Sequence, residues 1–260
     1  MKTLYAALTL ACVFPAARAA QQAPAGAEAT PPAKYVEHGA IEAMNRMGKA
    51  LRALKTFEVI GEVTTEDVIQ GDQKLQFVNR VRYVVKTPDS LYAEVRSDRT
   101  WRRYYFNGQV LTVEAPRYGY YADFESPGRI IDLLNAAYSR YDIDFPLQDL
   151  FLWGTDYMKE FSPDRAFSVG YAQLGEYETE QYAFREEGVD FQIWIDRQSQ
   201  LPRKLVITNT EDATQPQYAA SFTWKLNPDL SSQKFSYSPS EGAHEIPLQA
   251  VLQEIGEDSP

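Results

Sequence analysis

The apolar positions of this chain change period three times. Over residues 35–55, Ile41, Met44, Met47, Leu51 and Leu54 recur at steps of three and four, with Glu42, Arg46, Lys49 and Arg52 between them. That spacing predicts an amphipathic helix. From Thr56 alternation takes over, and residues 57–68, 75–86, 90–96, 102–106, 109–114 and 118–124 read as six consecutive strands. Gln70-Gly71-Asp72 and Thr87-Pro88-Asp89-Ser90 mark turns, and Asn107-Gly108 reads as a tight hairpin whose two residues take positive φ. Six strands joined by short turns imply an antiparallel sheet.

The helical period returns after Ser126-Pro127-Gly128. Ile130, Ile131, Leu134, Ala137, Tyr138 and Tyr141 form one stripe with Asp132 off it, and a second short helix is predicted over 146–153, with Pro146 in its first turn and Leu147, Leu150 and Phe151 on one face. Alternation then resumes over 166–174, 177–186, 189–196, 203–210 and 218–226. The prediction is a mainly β, α+β fold. About eleven strands form an unclosed, strongly curved antiparallel barrel, with an N-terminal helix and a mid-chain helical insert as its lid. Strands and helices do not alternate, which excludes a parallel α/β fold.

The first residues belong to neither pattern. Met1-Lys2-Thr3 is followed by an apolar run over 4–14, too short to anchor in a bilayer, and then by Ala17-Arg18-Ala19. This reads as a signal peptide over 1–19, cleaved near Ala19, and implies export to the periplasm. Residues 20–34 read as an Ala/Pro-rich linker, 35–255 as one domain and 256–260 as a loose acidic tail. Cys12 is the alternative, as a lipidation site, but Thr9 and Leu10 depart from the residues such a site carries and disfavour it.

Cleavage at Ala19 removes the single cysteine and two of the 26 basic residues, leaving 24 against 36 acids, a net charge of −12. That acidity disfavours nucleic acid and adsorption to anionic lipid headgroups, while leaving an enclosed apolar ligand allowed. No later apolar stretch is long enough to span a membrane, so an integral membrane protein is not expected.

Catalytic chemistry has little material. His38 and His244 are the only histidines and read as exposed polar residues; there is no Gly-x-Ser-x-Gly elbow and no glycine-rich phosphate loop. Asp142 and Asp144 read as capping charges for a helix starting at Pro146. The basic pairs Arg102-Arg103 and Arg203-Lys204 read as solvated strand faces. No catalytic residue, metal site or cofactor is expected.

Aromatic residues make up 13% of the chain, with 17 tyrosines. Alternation places Tyr104 and Phe106 on one face and Tyr105 on the other, sets Trp194 opposite Phe191, Ile193 and Ile195, and puts Tyr218, Phe222 and Trp224 on a shared face. Tyr104, Phe106, Tyr121, Phe151, Trp153, Trp194, Phe222 and Trp224 are therefore candidates to line a ligand cavity. The alternative is that these side chains only pack helices onto the sheet.

Several short segments, taken in order, carry a resemblance. They are Tyr104-Tyr105-Phe106-Asn107-Gly108 leading to Leu111-Thr112-Val113, then Tyr121-Ala122, Pro146-Leu147-Gln148-Asp149-Leu150, Trp194-Ile195-Asp196 and Leu201-Pro202-Arg203-Lys204-Leu205. In these, from about Ala40 to Leu226, the chain resembles a family of bacterial predicted periplasmic proteins (DUF2092-type) with a LolA/LolB-like lipoprotein-carrier fold. The resemblance implies an unclosed barrel with an apolar hollow under helices, which in LolA-like carriers accepts lipoprotein acyl chains. The expectation is a non-enzymatic periplasmic binding or carrier protein for a lipid, an acyl chain or a similar apolar ligand. The alternative is an envelope protein-interaction or sensing module whose barrel is packed and empty of ligand.

Overall fold

In the computed structural model, which describes residues 34–249 except 232 and 234, the alternating segments join into one thirteen-stranded sheet. The expectations for residues 1–33 (signal peptide, Cys12 and linker) and for the tail at 256–260 lie outside the described residues. A two-residue strand, β1 (Tyr35–Val36), precedes helix α1 (His38–Ala53). The first meander follows: β2 (Thr56–Val68), β3 (Lys74–Lys86), β4 (Ser90–Arg96), β5 (Trp101–Phe106), β6 (Val110–Ala115) and β7 (Tyr120–Glu125). Helices α2 (Ile130–Tyr141) and α3 (Asp149–Leu152) form the insert, with a 3-10 turn at Asp156–Glu160. The second meander is β8 (Arg165–Leu174), β9 (Tyr177–Glu186), β10 (Val189–Asp196), β11 (Pro202–Asn209) and β12 (Gln217–Leu226), and β13 (His244–Glu245) ends the series.

The two meanders meet where β12 pairs antiparallel with β2, from Tyr218 opposite Thr65 to Leu226 opposite Phe57. This makes β7 and β8 the far edges, and the curvature turns them toward each other without closing. Each edge is covered for two residues by a parallel partner, β1 on β8 and β13 on β7. Beyond Val36, Glu37 Oε2 accepts the Ser168 amide at 3.0 Å, so a side chain continues the protection that β1 begins.

Alternation sorts each strand into an inner and an outer face. Val59, Val81, Tyr83, Val85, Leu91, Phe106, Leu111 and Ile193 point inward and are fully buried. The helices fill the concave side. Helix α1 contributes Met44, Met47 and Leu51, α2 contributes Leu133, Leu134 and Ala137, and residues 145–153 add Phe145, Leu147, Leu150, Phe151 and Trp153 to the same core.

Three local expectations are corrected. Residues 35–36 pair with β8 instead of extending the first helix. The 146–153 segment is helical only over Asp149–Leu152, because Leu147 sits at φ +65°, a left-handed conformation that no continuing helix passes through. The β5–β6 connection is not a two-residue turn. Phe106 pairs with Leu111, and only Gly108 takes positive φ, while Asn107 Oδ1 accepts the amides of Gln109 and Val110 at 3.0 Å each.

Candidate functional site

The mid-chain insert is the one long segment of the described chain that fills the hollow and also crosses between the two sheet edges. Its apolar side chains seat on inner-face rings. Phe151 meets the edge of Tyr83, with centroids 5.3 Å apart and planes at 85°, and Phe145 lies 4.8 Å from Tyr104. Leu147 lies against Gly61 of β2, and a Cβ there would overlap its Cδ1. Glycine at 61 is thus what leaves room for the strained leucine.

Helix α1 is joined to the insert by a close backbone seam. A Cβ on Gly48 would stand 2.6 Å from Gly154 Cα, and Gly154 itself has φ +77°. Arg52 reaches across the same seam and donates to the Phe151 carbonyl at 2.8 Å and to the Leu150 carbonyl. It supplies a cation to the last carbonyls of α3, groups that a four-residue helix leaves without partners of its own.

Beneath the insert lies a polar cluster inside the apolar hollow. Tyr83 of β3 donates from its hydroxyl to the Pro146 carbonyl at 2.5 Å. Asp144 Oδ1 accepts from Gln148 Nε2 at 2.7 Å. The Tyr218 hydroxyl of β12 is buried, and the Leu147 amide approaches it without completing a hydrogen bond. Asp144 and Asp149 are both half-buried. Burial, then the charges of Asp149 and Asp142, push the Asp144 carboxyl up to about 7. Burial pushes the Asp149 carboxyl up to about 6. The Tyr104 hydroxyl is pushed up to about 12, and that of Tyr218 is raised further, in both cases chiefly by burial. Among the described residues neither Asp144 nor Asp149 forms an ion pair.

The sequence reading of Asp142 and Asp144 as caps of a following helix is corrected by this arrangement. Asp142 instead ends α2 at φ +53°, and Asp144 turns into the hollow. The seating of Asp144 and Asp149 is a tertiary effect that local pattern does not carry. One sign was present, in that Asp149 interrupts an otherwise apolar run from Leu147 to Leu152 apart from Gln148.

Of the eight cavity candidates, Tyr104, Phe106, Phe151, Trp153 and Phe222 are buried on the inner side. Trp224 shares that face, half-buried, with its indole donating to the Pro202 carbonyl at 2.8 Å and its ring 5.6 Å from Phe57. Tyr121 and Trp194 stand on the outer face. Tyr121 packs against Tyr237 with centroids 5.0 Å apart, and Lys204 Nζ sits 4.9 Å from the Trp194 ring. Of the two basic pairs, Arg203 alone departs from the expected solvated face. Arg203 is buried against Asp196, and Arg103 lies between Glu94 and Glu114 with its guanidinium over Trp101. His38 is exposed and lies 3.2 Å from Glu42.

Side chains occupy the hollow in this state. A small cavity of about 90 Å³ lies at its rim, where α1 meets β9 and β10, lined by Arg46, Glu180, Tyr182, Arg197 and Gln200 among others. That is well below the roughly 300 Å³ of the smallest ordinary ligand pockets. No group of histidine, cysteine and acidic residues with metal-holding geometry occurs among the described residues, and none of their helices is long and apolar enough to cross a membrane.

An open antiparallel sheet wrapped around its own helices defines an architecture and not a reaction. Residues 40–249 match the family described as predicted periplasmic protein (DUF2092), and the chain belongs to that family. No curated protein matches it. Among solved structures it is similar to an uncharacterized conserved protein from Thermus thermophilus, at 11% identity and a TM-score of 0.47, over 81% of this chain and 99% of that one. It is similar to LprF from Mycobacterium bovis at 11% identity and a TM-score of 0.40, over 80% and 99% of the two chains. The LolA superfamily protein NE2245 from Nitrosomonas europaea shares 10% identity at a TM-score of 0.34, over 76% and 97%. Likenesses of this strength pass no ligand, partner or activity to this chain.

Proposed function

We propose that this is a non-enzymatic periplasmic carrier that holds an apolar ligand, the acyl chain of a lipid or lipoprotein, in the barrel hollow, and that its own insert occupies the hollow when no ligand is bound. The observation that carries this reading is that the core of the barrel is filled by a segment outside the sheet. Residues 145–153 take part in none of the strand pairings.

The exchange is close to balanced. Burial of Phe145, Leu147, Leu150, Phe151 and Trp153 contributes about 2 kcal/mol each, or about 10 kcal/mol gross, and an acyl chain of about 12 methylenes at about 0.8 kcal/mol apiece recovers a similar sum. Leu147 in the left-handed region and the partnerless Tyr218 hydroxyl both weaken the docked state, which suits a plug that must leave.

Native mass spectrometry of protein purified from the periplasm tests the reading, with N-phenyl-1-naphthylamine as an added probe. Bound lipid, or probe fluorescence that a fatty acid displaces, supports it. A protein that is empty and takes up no probe overturns it and favours the second reading, a module with a permanently packed barrel. That reading rests on the outer face, where Tyr92, Tyr105, Tyr237 and Tyr121 form a row of rings each 5.0–5.3 Å from the next, Tyr92 buried and the other three half-exposed to a protein partner.

A further inference from the structure

The groups under the insert share one property that packing does not require. Two carboxylates, Asp144 and Asp149, are carried by the insert into an apolar hollow, where the polar groups of the sheet facing them are phenols: Tyr83 on β3, Tyr104 on β5 and Tyr218 on β12. The cations nearby are engaged elsewhere. Arg52 of α1 donates to the carbonyls of Leu150 and Phe151, and Arg102 of β5 donates to the Trp101 carbonyl at 3.2 Å while its charge favours ionisation of the Tyr104 hydroxyl. On the insert itself Asp142 adds a further negative charge beside Asp144.

A half-buried carboxyl with no ion-pair partner favours its protonated form there, whereas in water it ionises at its ordinary value. Docking of the insert and protonation of these two groups are therefore one linked equilibrium. Resting on the carrier reading above, we infer that the insert is a proton-linked plug: protonation of Asp144 and Asp149 seats it, and loss of those protons drives it out of the hollow and admits the apolar ligand.

The sign follows from burial. The docked form binds protons more tightly than the open form, so docking is strongest in mild acid and weakens as pH rises from the carboxylates' free value through neutrality, the window set by the raised values of the two groups. Tyr218 sharpens the effect. As a donor without an acceptor in the docked state it offers Asp149 and Asp144 no fixed bond that would hold their charge.

Two measurements on the full mature chain test this separately. Hydrogen exchange of the amides of residues 150–153, corrected for the intrinsic effect of pH, reports opening without any ligand. Opening is expected to rise about tenfold or more between pH 5.5 and 8 in the wild type. In the double variant Asp144→Asn, Asp149→Asn it is expected to be low and flat with pH. Wild-type opening that does not change with pH overturns the inference, whatever the variant does. Uptake of N-phenyl-1-naphthylamine, which stays uncharged over this range, is then measured at the same pH values. Opening that rises with pH while uptake stays absent keeps the proton-linked plug and sinks the carrier reading. Uptake without pH-dependent opening does the reverse.

Discussion

Asp196, the last residue of β10, and Arg203, the second of β11, form a buried ion pair that locks their hairpin. Asp196 Oδ2 accepts from Arg203 Nε at 3.1 Å and lies 3.0 Å from Nη2, and the two side chains are 7% and 9% exposed. The other carboxylate oxygen, Oδ1, accepts the amides of Gln198 and Ser199 at 3.0 and 2.7 Å and so shapes the turn. The guanidinium lies over the Tyr177 ring at 3.5 Å, and its Nη1 is buried with no hydrogen-bond partner. One aspartate thus holds both the turn and the neighbouring strand, and it lies in the segment from Trp194 to Leu205 that carries part of the family resemblance.

Removing one partner leaves a buried charge alone. Asp196→Ala should lower unfolding stability by about 3 kcal/mol, read as a shift in the urea midpoint with the slope unchanged. The double variant Asp196→Leu, Arg203→Met should cost less than Asp196→Ala alone, because no charge is then stranded. A double variant worse than the single one would show that the pair contributes more than mutual neutralisation. Burial alone would push the Asp196 carboxyl up, but the Ser199 amide and Arg203 outweigh it and hold it below the usual range. Its contribution is therefore full above about pH 4, the ordinary aspartate value, and is lost as pH falls below that. This is opposite in sign to the contribution of Asp144 and Asp149. Acid should loosen the β10–β11 hairpin while it tightens the insert.

The α1–insert seam makes a second prediction. Gly48 and Gly154 touch backbone to backbone, so Gly48→Ala cannot be absorbed by a side-chain shift, and Gly154→Ala adds a left-handed strain to the clash. Either change should part α1 from α3 and break the bonds of Arg52 to the last α3 carbonyls. The expected outcome is faster hydrogen exchange in residues 48–54 and 150–154, by about tenfold or more, with β2–β6 protection retained. Loss of protection throughout the sheet would mean that the seam supports the whole fold and not the lid alone.

How much of this could be read from the sequence varied with the range of the forces involved. Alternation carried the eleven long strands, and for Tyr177–Glu186, Val189–Asp196 and Ser90–Arg96 it also gave both ends, because turn residues stop the pattern there. The two-residue strands Tyr35–Val36 and His244–Glu245 have no period to read, and only the need to cover an edge creates them. For the cavity candidates, parity was informative where it was followed through. Trp194 alternates with Phe191, Ile193 and Ile195, all buried inward, so its outer position was implicit in its neighbours. Tyr121 likewise alternates with Ala122 and Phe124. The burial of Asp144 and Arg203 was not legible, since it depends on segments far away in sequence meeting over them.

Leu147 offers the most direct handle on the plug itself. It is 5% exposed, sits at φ +65° and covers Gly61. Leu147→Gly removes a left-handed strain of about 1–2 kcal/mol, but it also removes a buried leucine whose loss costs about 2–5 kcal/mol. The packing loss exceeds the relief, so docking of the insert should weaken on balance. Leu147→Ala keeps the strain and loses the packing, and should weaken docking further. If the insert is a plug, both variants should take up N-phenyl-1-naphthylamine more readily than the wild type at pH 6, in the order Ala above Gly, while far-ultraviolet circular dichroism of the sheet stays unchanged. Equal uptake by all three proteins would mean that the turn at Leu147 has no part in holding the insert down. Uptake that rises only together with loss of the sheet signal would mean that the insert is a structural part of the barrel that cannot be displaced.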